Sequence, residues 1–194
     1  MTHYRKLVGK KCYLSPCSVE DASKWTEWDN DLEVAIPLGD EVYCPTSEEK
    51  QKQILEDIIK KQSHIFNIVS LDNDELIGRC MFFALSQIDR CAMLGIVIGE
   101  KEYWDKGIGT EAAGLLLDYG FNILNLNSVM LGVFEFNKRA IRSYEKLGFK
   151  RIGNRRQGRI IAGKKYDVVL MDILAEEFES PVIKDIIKGI NKNN

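Results

Sequence analysis

Two groups of residues could do chemistry by their types and spacing. The first is Trp104-Asp105-Lys106-Gly107-Ile108-Gly109-Thr110. Gly107 and Gly109 have no Cβ, so the backbone there can wrap closely around an anion. Lys106 adds a positive charge and Thr110 a hydroxyl. A helix opening at this point would present unpaired N–H groups and a positive dipole end, the usual cradle for a phosphate. The second group is Asn137, Tyr144 seven positions later, and a closing Leu147-Gly148-Phe149. Asn137 suits a helix N-cap, and Gly148 suits a left-handed residue just past the helix end. Tyr144 shares a helical face with Ala140, Ile141 and Leu147. On spacing alone that is a core position.

These groups need rigid elements behind them. Met93 to Ile98 is an apolar run that reads as a strand. After Gly109 a helical stripe follows, Ala112, Leu116, Tyr119 and Ile123, widened by Leu117 and Leu124. Val129 to Phe134 is a second apolar run. Residues 93–149 therefore read as strand, anion-binding loop, helix, strand, helix.

In order and spacing, this stretch resembles the acetyl-CoA-binding half of the Gcn5-related N-acetyltransferases, near the ribosomal-protein alanine and spermidine acetyltransferases. Gly107-x-Gly109, Asn137 and Tyr144, and Leu147-Gly148-Phe149 carry the match. Asp105 departs from the family's usual glycine, and Trp104 stands at its Gln/Arg position. The resemblance implies a mixed α/β acyl-CoA N-acyltransferase fold, with a mostly antiparallel central sheet splayed between two central strands and flanked by helices. It implies one domain over 1–194, with acceptor-side elements in 11–92, the acetyl-CoA core in 93–149, and strands and a tail helix in 150–194. Acetyl-CoA would be held by Val97, Ile98, Gly99, the loop Trp104, Asp105, Lys106, Gly107, Ile108, Gly109 and Thr110, and Asn137. Tyr144 would protonate the departing thiolate, and a backbone N–H near Val97 or Ile98 would hold the oxyanion. Related enzymes place a glutamate base five residues before the asparagine. Gly132 stands there, so Glu135 is the nearest candidate, with bulk water or an acidic loop residue as rivals. No metal is implied.

The remaining segments read more plainly. Lys11 to Cys17 is a strand closed by Pro16, and Ser18 with Asp21 forms a capping box. Trp25 and Trp28 recur at helical spacing, either as core or with one lining a substrate cleft. Glu20 to Glu49 is acidic, with Lys24 its one basic residue. It reads either as a solvated loop or as a negative mouth that collects a cationic amine, with Trp28, Asp29 and Asp31 as its substrate-binding residues. Ser47 caps a helix through Gln62. Ile65–Leu71, Glu75–Leu85 and the strand at Met93 suggest an antiparallel meander. Residues 150–165 are basic, reading as strand, loop and a return strand from Tyr166. Ile183, Ile186, Ile187 and Ile190 form a short amphipathic stripe that could dock on the domain or on a second subunit.

Composition narrows the function classes. A net charge of −2 does not suggest a nucleic-acid partner. No apolar run approaches the ~20 residues of a membrane span, and no leader pattern opens the chain. The five cysteines are scattered without a CxxC pair, which fits reduced thiols and a cytoplasmic location. With two histidines, neither near a cysteine, a catalytic thiol or metal site is not expected. Gly107-x-Gly109-x-x-Ala112 also fits a dinucleotide fingerprint. That reading fails because Glu100–Lys106 separate strand from glycines and no acid stands about 20 residues on. The expected activity is direct acetyl transfer to a primary amine, either a small cationic amine such as a polyamine or a protein N-terminus, by a monomer or homodimer. The alternative is an inactive CoA-binding sensor or interaction module.

Overall fold

The computed structural model describes residues 3–192. In chain order its elements are β1 (Leu7–Val8), β2 (Cys12–Pro16), α1 (Ala22–Asn30), α2 (Leu32–Ala35), α3 (Glu48–Lys60), β3 (Ile65–Ser70), β4 (Leu76–Ser86) and β5 (Cys91–Ile98). Then come α4 (Ile108–Asn122), β6 (Ser128–Phe134), α5 (Lys138–Lys146), β7 (Lys150–Ile161), β8 (Lys164–Leu174) and α6 (Ile183–Lys192). The strands follow the hydrogen-bonded order β1-β2-β3-β4-β5-β6-β8-β7. The β5–β6 pair is parallel, and β1–β2, β2–β3, β3–β4, β6–β8 and β7–β8 are antiparallel. This is the mixed α/β, mostly antiparallel architecture expected. The chain divides into two compact units, Met1–Phe82 with Gly95–Ala113, and Phe83–Leu94 with Gly114–Asn194.

The first unit is built around Tyr13, Trp25, Trp28, Val34, Leu55, Val69 and Val97. Both tryptophans are buried, so helical spacing served packing at each. The capping box forms: the Ser18 hydroxyl accepts from Glu20 N–H, and Asp21 accepts from Ser18 N–H at 2.6 Å. A polar thread runs through this core. The Trp25 indole N–H donates to Asn67, whose amide donates to Asp21. The Arg79 guanidinium lies over the Trp25 ring and reaches the Asp29 carboxylate at 2.6 Å.

In the second unit, β6 and β7 pair with β8 along almost its full length. The loop expected within 150–165 is only Ala162-Gly163, and β8 begins at Lys164 rather than Tyr166. Both turn residues have positive φ (48° and 75°), the requirement of a tight hairpin turn, without the Asn-Gly pair that usually announces one. The tail docks through a carboxylate. Asp118 on α4 is fully buried and accepts from the Ser180 hydroxyl, the Val182 and Ile183 N–H groups, and the Asn122 amide. It thereby satisfies orphan donors at the start of α6 and meets the positive end of that helix. Of the tail isoleucines, Ile183 is buried and Ile186, Ile187 and Ile190 are exposed. Replacing Asp118 by alanine should cost about 2–3 kcal/mol, because buried donors lose their acceptor. Chemical denaturation would measure the loss, and limited proteolysis should cleave near Ser180 ahead of the rest. Unchanged stability and an unchanged cleavage pattern would refute this anchoring.

Candidate functional site

In the first unit the parts of the expected anion site converge at the end of β5. The parallel ladder with β6 covers Cys91–Met93 against Ser128–Met130 and goes no further, although β5 runs on to Ile98. From Gly95 onward the strand belongs to the first unit, where its strand neighbour is β4. Gly99 N–H donates to Ile77 O at 2.9 Å, and the Val97 carbonyl lies against Gly78, so both are turned toward β4. Strand alternation turns Ile96 and Ile98 to the opposite edge. Of Val97, Ile98 and Gly99, only Ile98 thus presents backbone groups to the open edge, and Ile96 joins it. The Ile98 carbonyl accepts the Trp104 indole N–H at 2.8 Å, which fixes the entry to the loop.

The loop turns through two left-handed residues, Asp105 (φ 58°) and Gly107 (φ 79°), and α4 starts at Ile108. At Gly107 a side chain would be strained. Glu111 N–H makes the first helical bond, to Gly107 O. The amides of Ile108, Gly109 and Thr110 are therefore the orphan donors at the positive end of a 15-residue helix. Asp105 is exposed. The Lys106 ammonium rests over the Tyr103 ring, 5.3 Å from its centre.

In the second unit, Asn137 caps α5, its side-chain oxygen accepting from Ala140 N–H at 3.1 Å. Tyr144 is half-buried, its ring packed edge-on against Phe149 at 5.7 Å. Its hydroxyl has no hydrogen-bond partner among the described residues. Burial of that hydroxyl pushes its pKa up to about 12, so the phenol keeps its proton throughout the neutral range. Glu135, at the end of β6, accepts Asp167 N–H through one carboxylate oxygen at 2.8 Å. Its other oxygen has no partner among the described residues.

The three acceptor candidates separate. Asp29 is buried in the ion pair with Arg79. Trp28 packs face-on against Gly99, where a Cβ would come within 2.1 Å of the indole, and donates to Glu100 at 3.0 Å. Trp28 and Asp31 also line a pocket shared with Glu27, Gly99, Glu100, Lys101 and Glu102. Asp31 caps α2 through Glu33 N–H and pairs with Lys101 at 2.7 Å; that hydrogen-bonded lysine lowers its pKa, so it stays ionised near neutrality. Glu27, Glu100 and Glu102 were not singled out by sequence reasoning; Glu27 at least lay within the acidic segment that could have flagged it. Glu75, Glu100 and Glu102 cluster, but Glu75 is held by Tyr103 and Asn73, and Glu100 by Lys24 and Trp28. Burial raises the pKa of the Cys12, Cys17 and Cys80 thiols, which disfavours their thiolates.

Residues 11–150 match the acetyltransferase (GNAT) domain. Over 165 residues the chain is 30% identical to spermidine N(1)-acetyltransferase of Escherichia coli K12, covering 85% of this chain and 87% of that protein. It is 32% identical over 182 residues to the probable N-acetyltransferase YjcK of Bacillus subtilis strain 168, covering 89% of this chain and 99% of that one. The crystal structure of spermidine N-acetyltransferase from Vibrio cholerae in complex with CoA and spermine has the same fold, with a TM-score of 0.75 at 24% identity over 86% of this chain and 96% of that one. With the domain match spanning most of its length, this chain belongs to the GNAT family and is an acetyl-CoA-dependent N-acetyltransferase.

Proposed function

We propose that this enzyme moves the acetyl group of acetyl-CoA directly to the primary amine of a small cationic acceptor of the polyamine class. The observation that carries the cosubstrate half is the open edge of β5, which leads into a left-handed glycine turn and the bare N-terminus of α4. Ile96 and Ile98 suit an extended, amide-bearing arm added like a strand. Gly107 and the Ile108–Thr110 amides suit its pyrophosphate. Asn137 fits a helix-capping role as well as a contact to the cosubstrate. The cosubstrate supplies an activated thioester, so the protein need only align, deprotonate and protonate.

The acceptor half rests on charge. Glu27, Asp31, Glu100 and Glu102 bring four carboxylates to one pocket, against two lysines: Lys101 in its lining, and Lys24, which pairs with Glu27 and Glu100. The E. coli relative carries a spermidine acetyltransferase name, which points the same way. Asp29, already neutralised by Arg79, positions α1 and does not meet the amine. An ammonium has no lone pair, so a base must take its proton; Glu135 is assigned this role through its uncommitted oxygen. The Ile98 N–H is assigned to the developing oxyanion. Tyr144 is assigned as the acid that protonates the leaving thiolate.

Exposed charges are screened beyond ~8 Å at physiological salt. With spermidine as acceptor, kcat/KM should fall as ionic strength rises while kcat changes little, and Asp31→Asn with Glu102→Gln should flatten that dependence without altering CoA affinity. A salt-independent kcat/KM would remove the pocket from acceptor capture. Tyr144→Phe should lower kcat toward the low end of the ~10²–10⁴-fold range for a lost general acid, with CoA binding intact. Because the phenol titrates near 12, wild-type kcat should show no fall from its ionisation up to about pH 11. Full turnover by the phenylalanine variant would return Tyr144 to a packing role.

A further inference from the structure

We propose that Lys11, 95 residues before the glycine loop, is a phosphate-binding residue of this enzyme and the cation held directly at that loop. The inference rests on the acetyl-CoA reading above. It begins with Glu111, in the first turn of α4. One oxygen of its carboxylate accepts three backbone N–H groups, from Lys10 (2.7 Å), Lys11 (2.8 Å) and Cys12 (3.2 Å). Gly9 completes the turn, since a Cβ there would stand 2.2 Å from that oxygen. The connection between β1 and β2 is thus pinned to the helix that opens at the glycine loop.

Pinning the backbone aims the side chain. The Lys11 ammonium donates to the Lys106 carbonyl at 2.6 Å and lies 3.5 Å from where a Gly107 Cβ would be. An ammonium has three donors. One is spent on Lys106 O, and the other two have no acceptor among the described residues. They lie beside the turn that leads into the orphan amides of Ile108–Thr110. Lys106, the cation that sequence points to, instead places its ammonium over Tyr103. The local charge balance also needs Lys11, because Asp105 and Glu111 set two negative charges beside a site for an anion. Three amide donors moderate the Glu111 charge but do not cancel it.

The test is CoA affinity of Lys11→Gln, Lys11→Arg, Gly107→Val and the wild type, by calorimetry at low and at high salt. Lys11→Gln should bind about tenfold more weakly at low salt, about 1.4 kcal/mol. The deficit should shrink at high salt, because it is Coulombic. Lys11→Arg should restore most of the affinity. Comparison of CoA with 3′-dephospho-CoA identifies the phosphate: a deficit that persists for the dephospho compound places Lys11 at the pyrophosphate, and one that vanishes places it at the 3′-phosphate. Wild-type affinity in Lys11→Gln, with Gly107→Val still impaired, overturns the role of Lys11 alone. A deficit equal at both salts and not rescued by arginine overturns it in favour of a loop brace. Failure of the wild type to bind CoA overturns the acetyl-CoA reading as well.

Discussion

The parallel ladder between β5 and β6 stops at Met93 and Met130, and the cosubstrate site depends on that stop. Backbone N–H and C=O groups demand partners, and an interior strand normally finds them on both sides. Beyond Met93, β5 keeps β4 on one side and releases its other edge. The release is useful only because the strand then enters a turn whose left-handed φ at Gly107 would strain an ordinary L-residue. The turn in turn places the start of α4 beside the end of β5: a Cβ on Gly109 would touch the Ile98 side chain at 3.4 Å. An edge of amide groups for an extended arm and a ring of orphan N–H groups for a phosphate are thereby joined in one short stretch of chain.

Charge in the first unit is organised with the same economy. The acidic segment 20–49 looks in sequence like a broad negative field. In the structure much of it is matched: Asp29 by Arg79, Asp31 and Glu33 by Lys101, Glu27 by Lys24, and Glu48 by Lys52. The surface pairs contribute little to stability, since exposed ion pairs are worth at most about 1 kcal/mol. Their effect is to leave a local excess of carboxylates around Trp28 and Gly99 rather than a diffuse one.

What could be read in the sequence was local. The Ser18 capping box, the Ser47 and Asn137 caps, the helix after Gly107 and the hydrophobic strands are set by neighbouring residues and appear where expected. Asp105 taking a left-handed φ explains how an aspartate stands where the family has glycine, because Asp and Asn tolerate that region better than other L-residues. Long-range pairings were not legible. Asp29 looked like a substrate carboxylate because Arg79 lies 50 residues away. Lys11 reads only as the start of a strand, because Glu111 and Lys106 lie 100 and 95 residues away. Which backbone groups of β5 face the open edge depends on register with β4, so sequence alone does not single out Ile96. The strand–loop–strand order over 150–174 is legible, but the tight turn at Ala162-Gly163 is not, because its first residue carries no turn signal.

Hydrogen–deuterium exchange, with and without saturating CoA, reads the open edge of β5 and the start of α4 amide by amide. Amides that gain a ligand acceptor exchange more slowly by a factor set by occupancy and affinity. CoA should slow exchange at Ile96 and Ile98 on β5 and at Ile108–Thr110, and leave the exposed Asn154–Gln157 stretch of β7 unaffected. Tight CoA binding that leaves β5 and the start of α4 exchanging at their free rates would contradict this cosubstrate site.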